Sequence, residues 1–284
     1  MSAGALAAGG IRRIKRRRLP ASAAAALGVV LALWVVAALS PLASRRASEI
    51  RLEERLAAPS ATHPFGTDDL GRDLLARVVA STPLSLAIGL AAAAVSLLVG
   101  FAVGAVAGYF GGAVDLVLSR VIEVVLCFPV LFLLLALAAL LPPSPATVVL
   151  AIGLTTWPGD ARLARAETLK AKDLDYVRAA RAAGASTPRI LVRHLLPNVL
   201  APLLVSAAFG VAWAILAEAA LSFLGVGLPA PATSWGGLLA AAPTYIEEAW
   251  WMALFPGLAL FLTVAAYNLL AEGLRSAAGE QGRG

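Results

Sequence analysis

The sequence predicts an all-α polytopic membrane protein with six transmembrane helices, and its composition and charge distribution carry that prediction. The 284 residues are 60% hydrophobic and only 14% charged, whereas soluble domains carry about 25% charged residues. The charges are also unevenly placed, since residues 78–114 and residues 124–159 contain none. Uncharged apolar stretches of about 18 residues or more are typical of membrane spans.

Six apolar stretches are long enough to cross a bilayer. Pro142, Pro143 and Pro145 separate the third from the fourth, because clustered prolines end a helix. Gly111 and Gly112 separate the second from the third in the same way. The predicted spans are 21–41, 82–108, 116–141, 146–165, 199–221 and 249–271.

The chain is predicted to form one membrane domain without a separate soluble domain. A basic N-terminal arm before the apolar run is similar to a secretory signal. The run of 19 residues exceeds the roughly 7–15 of a signal peptide, which favours a retained first span over a cleaved signal. The predicted parts are a basic arm 1–20, a first helix and outer loop 21–80, a five-helix core 81–275 and a tail 276–284.

Basic residues predict the orientation, because cytoplasmic loops carry an excess of Lys and Arg. The basic arm places the N-terminus in the cytoplasm, and six crossings return the C-terminus there. Segment 159–197, also inside, carries eight Lys or Arg residues, and segment 222–248, outside, carries none. The outer loop 42–81 disagrees, since it holds six Arg together with six acids. The net charge of +6 therefore indicates membrane orientation and not nucleic-acid binding.

Three glycines, Gly100, Gly104 and Gly108, recur every four residues in the second span. This spacing places them on one helix face, where two backbones can approach closely. We expect a helix seam within this subunit. A seam between subunits and ordinary small-residue packing are the alternatives.

The cytoplasmic segment 173–198 is predicted to begin with a short helix that lies across the inner ends of the spans. Asp175 can cap this helix, and Gly184 is suited to end it in a left-handed conformation. Another protein could pack closely on its small side chains, which are Ala179, Ala180, Ala182 and Ala183.

A second short helix is predicted to follow the glycine. Ser186 or Thr187 can cap it, with Pro188 in its first turn. Pro197 is expected to close it before the fifth span.

This segment resembles the EAA loop of importer permeases in the ATP-binding-cassette class. The family pattern is Glu-Ala-Ala, three residues, Gly, nine residues, then Ile-x-Leu-Pro. Arg178 stands here in place of the acid and His194 in place of the isoleucine. The resemblance implies that the ATPase-coupling residues are Asp175, Tyr176, Arg178, Ala179, Ala180, Gly184, His194, Leu196 and Pro197.

Further segments resemble the dipeptide, oligopeptide and nickel branch of that family. They are Arg193–Asn198, His63–Asp73, Glu218–Gly227 and the motif around Trp235, and they extend the likeness over about residues 60–275. They point to the C-type permease subunit. A merely basic loop facing anionic lipid is the alternative for the coupling segment.

The resemblance implies a permease subunit in a bacterial inner membrane, working by alternating access. Its implied partners are a homologous permease, two ATP-binding-cassette ATPases and an extracytoplasmic binding protein, and peptides are the leading substrate, before nickel chelates. The sequence has no G-x-x-x-x-G-K-[ST] phosphate loop, so ATP and Mg are expected to bind the partner ATPases. No catalytic residue, metal site or cofactor of this chain is predicted. There are two competing functions. The first is a secondary transporter, and the second is a membrane scaffold or enzyme.

Glu218 is predicted to lie near the outer membrane face, about 30 Å along a helix from Asn198. Acids inside spans usually face a cavity or a partner. We therefore consider a role at an outer gate, with snorkelling to the interface as the alternative. Trp235 and Tyr245 of loop 222–248 could anchor at the membrane interface. The resemblance implies that this loop could instead meet the extracytoplasmic binding protein.

Two charged groups are expected to be structural. His63, with Asp68, Asp69 and Asp73, is interpreted as an exterior turn and not as a metal site, and Arg72 could pair with Asp73 or with a partner subunit. On the third span, Arg120 and Glu123 are spaced to form an ion pair.

Overall fold

The computed structural model describes residues 20–229 and 231–279, and these residues form helices joined by short connections. The predicted basic arm, and the last five residues of the tail, lie outside the described residues. The helices are α1 (Ala21–Leu39), α2 (Ser44–Ser48), α3 (Leu74–Phe110), α4 (Gly112–Leu126), α5 (Val130–Leu140), α6 (Pro145–Ala171), α7 (Asp175–Ala182), α8 (Thr187–Arg189), α9 (Leu196–Phe223), α10 (Trp235–Ala241) and α11 (Trp251–Gly279).

Four of the helical segments are long and apolar enough to cross a membrane, and a bent pair raises the number to five. They include α1, α3 and α11, and the protein is therefore a multi-pass membrane protein. Helix α3 begins earlier than its predicted span, because the Asp73 carboxylate accepts a hydrogen bond from the backbone N–H of Ala76 at 2.7 Å and caps the helix there.

The third predicted span, 116–141, is wrong as a single straight helix. It consists of α4 and α5, which meet at an angle of 85°. Pro129 precedes α5, and a proline supplies no backbone N–H and clashes with the preceding helical turn. The sequence prediction overlooked this lone proline inside an apolar run.

The fourth predicted span, 146–165, falls within α6. This helix extends to Ala171, and its second half carries several charges. Helix α6 is therefore not among the four segments that are long and apolar enough to cross a membrane.

Pro197 does not end a helix, contrary to the prediction. Residues Thr187–Phe223 form one continuous helix that contains a π-helical segment, Ile190–Leu195. In the wider π turn, the backbone N–H of Leu196 bonds to the carbonyl of Leu191. Pro197 has no N–H to donate, and the π turn accommodates it without ending the helix. The Asn198 side chain instead donates to the carbonyl of His194 at 2.7 Å.

The three glycines of the predicted seam face α6. An added Cβ at Gly100 would lie 2.5 Å from the Asp160 Cβ, and one at Gly108 would lie 2.8 Å from the Arg165 carbonyl oxygen. At Gly104 it would collide with the Ala161 carbonyl oxygen. The backbones of α3 and α6 are therefore in direct contact along about two helical turns.

A buried carboxylate organises the loop between α1 and α3. Asp68 is fully buried, and its Oδ1 accepts the backbone N–H groups of Leu70 and Arg72 at 2.8 and 2.9 Å. Its Oδ2 pairs with the Arg72 guanidinium at 2.7 Å and also with Arg77. Charges that would be costly to bury singly are thus neutralised within the loop.

We predict that Gly104→Ala destabilises the protein by about 1–3 kcal/mol, the usual cost of overpacking. The added methyl group meets a backbone carbonyl that no rotamer change can move. Thermal unfolding in a mild detergent measures the effect.

Gly28→Ala is the matched control, because Gly28 lies in α1 with open space around its Cβ position. This variant should be neutral or slightly stabilised, since Ala favours a helix by about 1 kcal/mol over Gly. Equal melting temperatures for the two variants would contradict the seam.

Candidate functional site

Helix α7 presents an exposed surface of small side chains, which we call the α7 surface. Asp175, Arg178, Ala179 and Ala182 lie on one face and are exposed, and Ala183 and Gly184 extend this surface at the helix end. An added Cβ at Gly184 would meet no atom within 4 Å. The α7 surface is therefore exposed in the described chain, at the point where the resemblance places a partner.

The opposite face of α7 is fixed to the transmembrane helices. Val177 is fully buried in a cluster with Ala171, Ile190 and Leu195, against which Tyr109 and Tyr176 pack. These residues come from α3, α6 and the π segment as well as from α7. The helix is therefore held as a rigid projection from several transmembrane helices.

Two polar contacts join α3 to α7 and to the chain just before α7. The Arg181 guanidinium lies 5.4 Å from the centre of the Tyr109 ring, a cation–π contact. The Lys172 ammonium donates a hydrogen bond to the Gly108 carbonyl at 3.0 Å and so satisfies an open carbonyl at the end of α3.

Gly184 ends α7 with a φ of +77°, in the left-handed conformation that the sequence predicted. The N–H groups of Gly184 and Ala185 bond to the carbonyls of Arg181 and Ala180, both at 3.0 Å, in the pattern of a C-terminal helix cap. Asp175 is not the cap, contrary to the prediction. It is the first helical residue, and Leu174 precedes it without a side-chain hydrogen bond.

The remaining predicted coupling residues lie outside the α7 surface. His194 and Leu196 are half-buried at the end of the π segment, and Pro197 is exposed at the start of α9. Leu195, between them, is fully buried against Val177. The structure therefore joins the two halves of the motif through a shared apolar cluster.

Glu218 is buried with 1% exposure, so the snorkelling alternative is wrong. Its Oε1 accepts hydrogen bonds from the Ser222 hydroxyl at 2.7 Å and the Ser234 hydroxyl at 2.6 Å. Its Oε2 has no hydrogen-bond partner among the described residues. Ser234 also caps α10 by accepting from Gly237 at 3.0 Å, so Glu218 ties α9 to loop 222–248.

Trp235 is not an interface anchor, contrary to the prediction. It is 1% exposed, and its indole N–H donates to the Val78 carbonyl at 3.1 Å. Its backbone N–H donates to the Ser85 hydroxyl at 3.0 Å. Tyr245 is half-buried beneath the guanidinium of Arg55, which lies 5.5 Å from its ring centre.

The ion pairs in the charged turn before α3 differ from the predicted ones. Arg72 pairs with Asp68 and not with Asp73. His63 Nδ1 lies 2.8 Å from Asp73 Oδ2. No group of three or more His, Cys, Asp or Glu residues suited to a metal ion occurs in residues 20–229 and 231–279.

The predicted pair on α4 is present, with Arg120 Nη1 2.6 Å from Glu123 Oε2. Both side chains are exposed, so the pair contributes little to stability.

Sequence reasoning missed Asp160, which the structure places where three helices meet. Its Oδ2 accepts from the Ser96 hydroxyl of α3 and its Oδ1 from the Ser206 hydroxyl of α9, both at 2.6 Å. The sequence signal was available, because Asp160 is the only acid in the predicted span 146–165. It was taken to lie near a span end, but α6 continues for eleven residues beyond it.

Comparison with known proteins gives a family and close relatives. Residues 100–277 match the family described as "Binding-protein-dependent transport system inner membrane component". A putative peptide transport system permease protein of Brucella suis biovar 1 (strain 1330) is 42% identical over 93% of this chain and 88% of its own length. The dipeptide transport system permease protein DppC of Alkalihalophilus pseudofirmus is 38% identical over 94% of this chain and 87% of its own length. The dipeptide transport system permease protein DppC of Escherichia coli (strain K12) is 42% identical over 88% of this chain and 85% of its own length.

A family match over more than half of the chain, with relatives of this identity and coverage, settles the membership that the α7 segment indicated. The chain belongs to the family of inner membrane components of binding-protein-dependent transport systems and is a permease subunit of an importer of the ATP-binding-cassette class.

Proposed function

We propose that this chain is one of two homologous permease subunits that together form the translocation pathway of a bacterial peptide importer. Peptides or related small solutes reach it from an extracytoplasmic binding protein, and two ATPase subunits supply the energy. The related peptide and dipeptide permeases support a peptide substrate. ATP and Mg bind the ATPases, because this sequence has no phosphate-binding loop.

The observation that carries the mechanism concerns α7. One face of this helix is the exposed α7 surface, and the opposite face is packed against the helix bundle. ATP-driven closure of the ATPases would displace α7, and its buried face would pass that displacement to the bundle. Val177 and Leu195 link α7 to the continuous helix Thr187–Phe223. Arg181 links it to α3 through Tyr109. Arg178, in place of the family acid, is exposed and would lie in the interface with the ATPase.

We further propose six membrane crossings, with both termini and α7 in the cytoplasm of a bacterial inner membrane. The bent pair α4 and α5 would be the third crossing and α6 the fourth. The polar second half of α6 supports this arrangement, because it lies against α3 at the seam and its Arg165 pairs with Asp115. Charges that face neighbouring helices avoid the cost of facing lipid.

Glu218 is proposed to act near the outer gate of the pathway. Its hydrogen bonds to Ser222 and Ser234 hold the outer loop on α9. A movement of α9 would therefore carry the outer loop with it and change access from outside.

The competing functions differ in the partners they require. The proposed permease should bring down an ATPase, a sister permease and a binding protein in mild detergent. A secondary transporter or a scaffold would need no ATPase. Transport by this chain alone, in liposomes without ATP, would overturn the proposal.

We predict that Gly184→Val weakens association with the ATPase while the protein still inserts into the membrane. A β-branched residue at a φ of +77° costs about 1–2 kcal/mol, and this strain distorts the end of the α7 surface. The measurements are ATPase co-purification and ATP-dependent uptake. Gly184→Asn should be close to the native protein, because Asn tolerates this conformation.

Gly225→Val is the matched control. Gly225 has a φ of +80° and open space around its Cβ position, but it follows the opposite end of α9. It carries the same strain far from α7, so ATPase recovery should not change. Equal losses in the two valine variants would show that strain alone, and not the α7 surface, affects assembly.

We predict that Glu218→Ala lowers uptake about tenfold and leaves ATPase co-purification unchanged. The substitution leaves two buried hydroxyl groups without their acceptor, at a cost of about 1–3 kcal/mol each. Glu218→Gln retains one acceptor oxygen and should lose less. Native uptake by the alanine variant, in proteoliposomes containing the whole complex, would argue against a gate at this position.

A further inference from the structure

Asp160 places a carboxyl group near the middle of a membrane-crossing helix. It lies fifteen residues after the first residue of α6 and eleven before the last, which is about 22 Å and 16 Å along the helix axis. Ionisable groups at this depth are costly, and they face a cavity, a partner or a transported species more often than lipid. The position of Asp160 therefore requires an explanation beyond helix packing.

The neighbours of Asp160 within this chain do not neutralise a carboxylate. Each oxygen accepts one serine hydroxyl, from Ser96 and from Ser206, and a carboxylate offers about four lone-pair sites. Of the charged residues of α6 that follow, Arg165 pairs with Asp115 and Glu167 with Lys170, and Arg162 is exposed and forms no ion pair with Asp160. No ion pair to Asp160 occurs among the described residues.

The carboxyl group lines a cleft of about 230 Å³ between α3, α6 and α9. The cleft has hydroxyl groups from Ser96, Thr156 and Ser206 and no basic side chain. It is smaller than the roughly 300–1,000 Å³ of a complete ligand pocket, so it can receive one end of a substrate and not the whole.

Two aromatic residues also line the cleft. Phe209 and Trp213 are four residues apart on α9, which places both on one helix face, and both are exposed. Aromatic faces attract cations and also bind apolar side chains. A carboxylate, hydroxyl groups and aromatic rings together match a protonated amine that has an apolar side chain on the adjacent carbon.

We propose that the Asp160 cleft binds the protonated α-amino group of the peptide as it passes through the permease. Ammonium binds the free lone pairs of the carboxylate, and Phe209 and Trp213 contact the first side chain. This inference rests on the peptide-importer function proposed above. A basic side chain of the sister permease in the same cleft is the competing occupant.

The first test measures the charge preference of the cleft in the reconstituted importer. Gly159 lines the cleft and has open space at its Cβ position, so Gly159→Cys adds a thiol beside Asp160 in a Cys127→Ser chain. We expect a trimethylammonium methanethiosulfonate to label it about tenfold faster than the sulfonate reagent, because a cleft of one sign concentrates the opposite ion. Asp160→Asn should remove the preference, and peptide-loaded binding protein with ATP should slow the labelling.

A thiol on α1 provides the control for this labelling. Gly28→Cys lies in another membrane helix with open space around it, and neither charged reagent should label it. Equal rates for the two reagents at position 159 overturn the proposal. Absence of labelling also overturns it, because the cleft would then be covered by lipid or by the sister subunit.

The second test measures peptide uptake by the same complex. Asp160→Asn should lower ATP-dependent uptake of a dipeptide with a free amino group about tenfold, and Asp160→Glu should restore part of it. Glu167→Gln, which removes an acid from the cytoplasmic end of the same helix, should retain native uptake. Native uptake by Asp160→Asn overturns the proposal even if the cleft prefers cations.

The two tests separate this inference from the proposed function. If the unaltered complex takes up no dipeptide, the peptide-importer function fails. The labelling preference at position 159 still decides whether the cleft is an accessible cation site.

Discussion

The close contact between α3 and α6 is the constraint on which the rest of the structure depends. Lipid gives apolar helices no hydrophobic reason to associate, so close van der Waals packing has to hold them together. Gly100, Gly104 and Gly108 allow this packing, because each would place a Cβ against α6. The contact positions Asp160 beside Ser96 at one end of the seam. At the other end it positions Tyr109, which contacts Arg181 of α7, and Gly108, whose carbonyl accepts a hydrogen bond from Lys172 just before α7.

The continuous helix Thr187–Phe223 connects three features at different depths. Its π segment packs under α7 through Leu195. Its middle supplies Ser206 to Asp160, and its C-terminal end holds Glu218. Because these groups share one helix, we propose that a displacement at the end next to α7 acts on the cleft and on loop 222–248 together. In the proposed importer, this arrangement couples access at both faces to the ATPases without a separate relay.

The sequence predicted the helical class, the left-handed Gly184 and the small-residue face of α7, because each follows from local composition and spacing. It missed the break at Pro129, since one proline in an apolar run looks weaker than the three that follow. It also expected Pro197 to end a helix, because a π turn that accommodates the proline has no composition signal. The environments of Trp235, Glu218 and Asp160 depend on residues far away in the chain. Serine partners at positions 96, 206 and 234 could not be assigned without the fold.

Glycines of the bundle differ in whether a second substitution could compensate for a side chain added at the glycine. At Gly89 and Gly153, an added Cβ would lie closest to the side chains of Ile215 and Val95, so a smaller partner could relieve the tightest contact. At Gly104, the obstacle is the Ala161 carbonyl oxygen, which every residue at position 161 would retain. No second substitution on α6 can make room there. A side chain at position 104 would therefore require the whole of α6 to move away from α3. That movement would also displace the Asp160 cleft and the contact between α3 and α7.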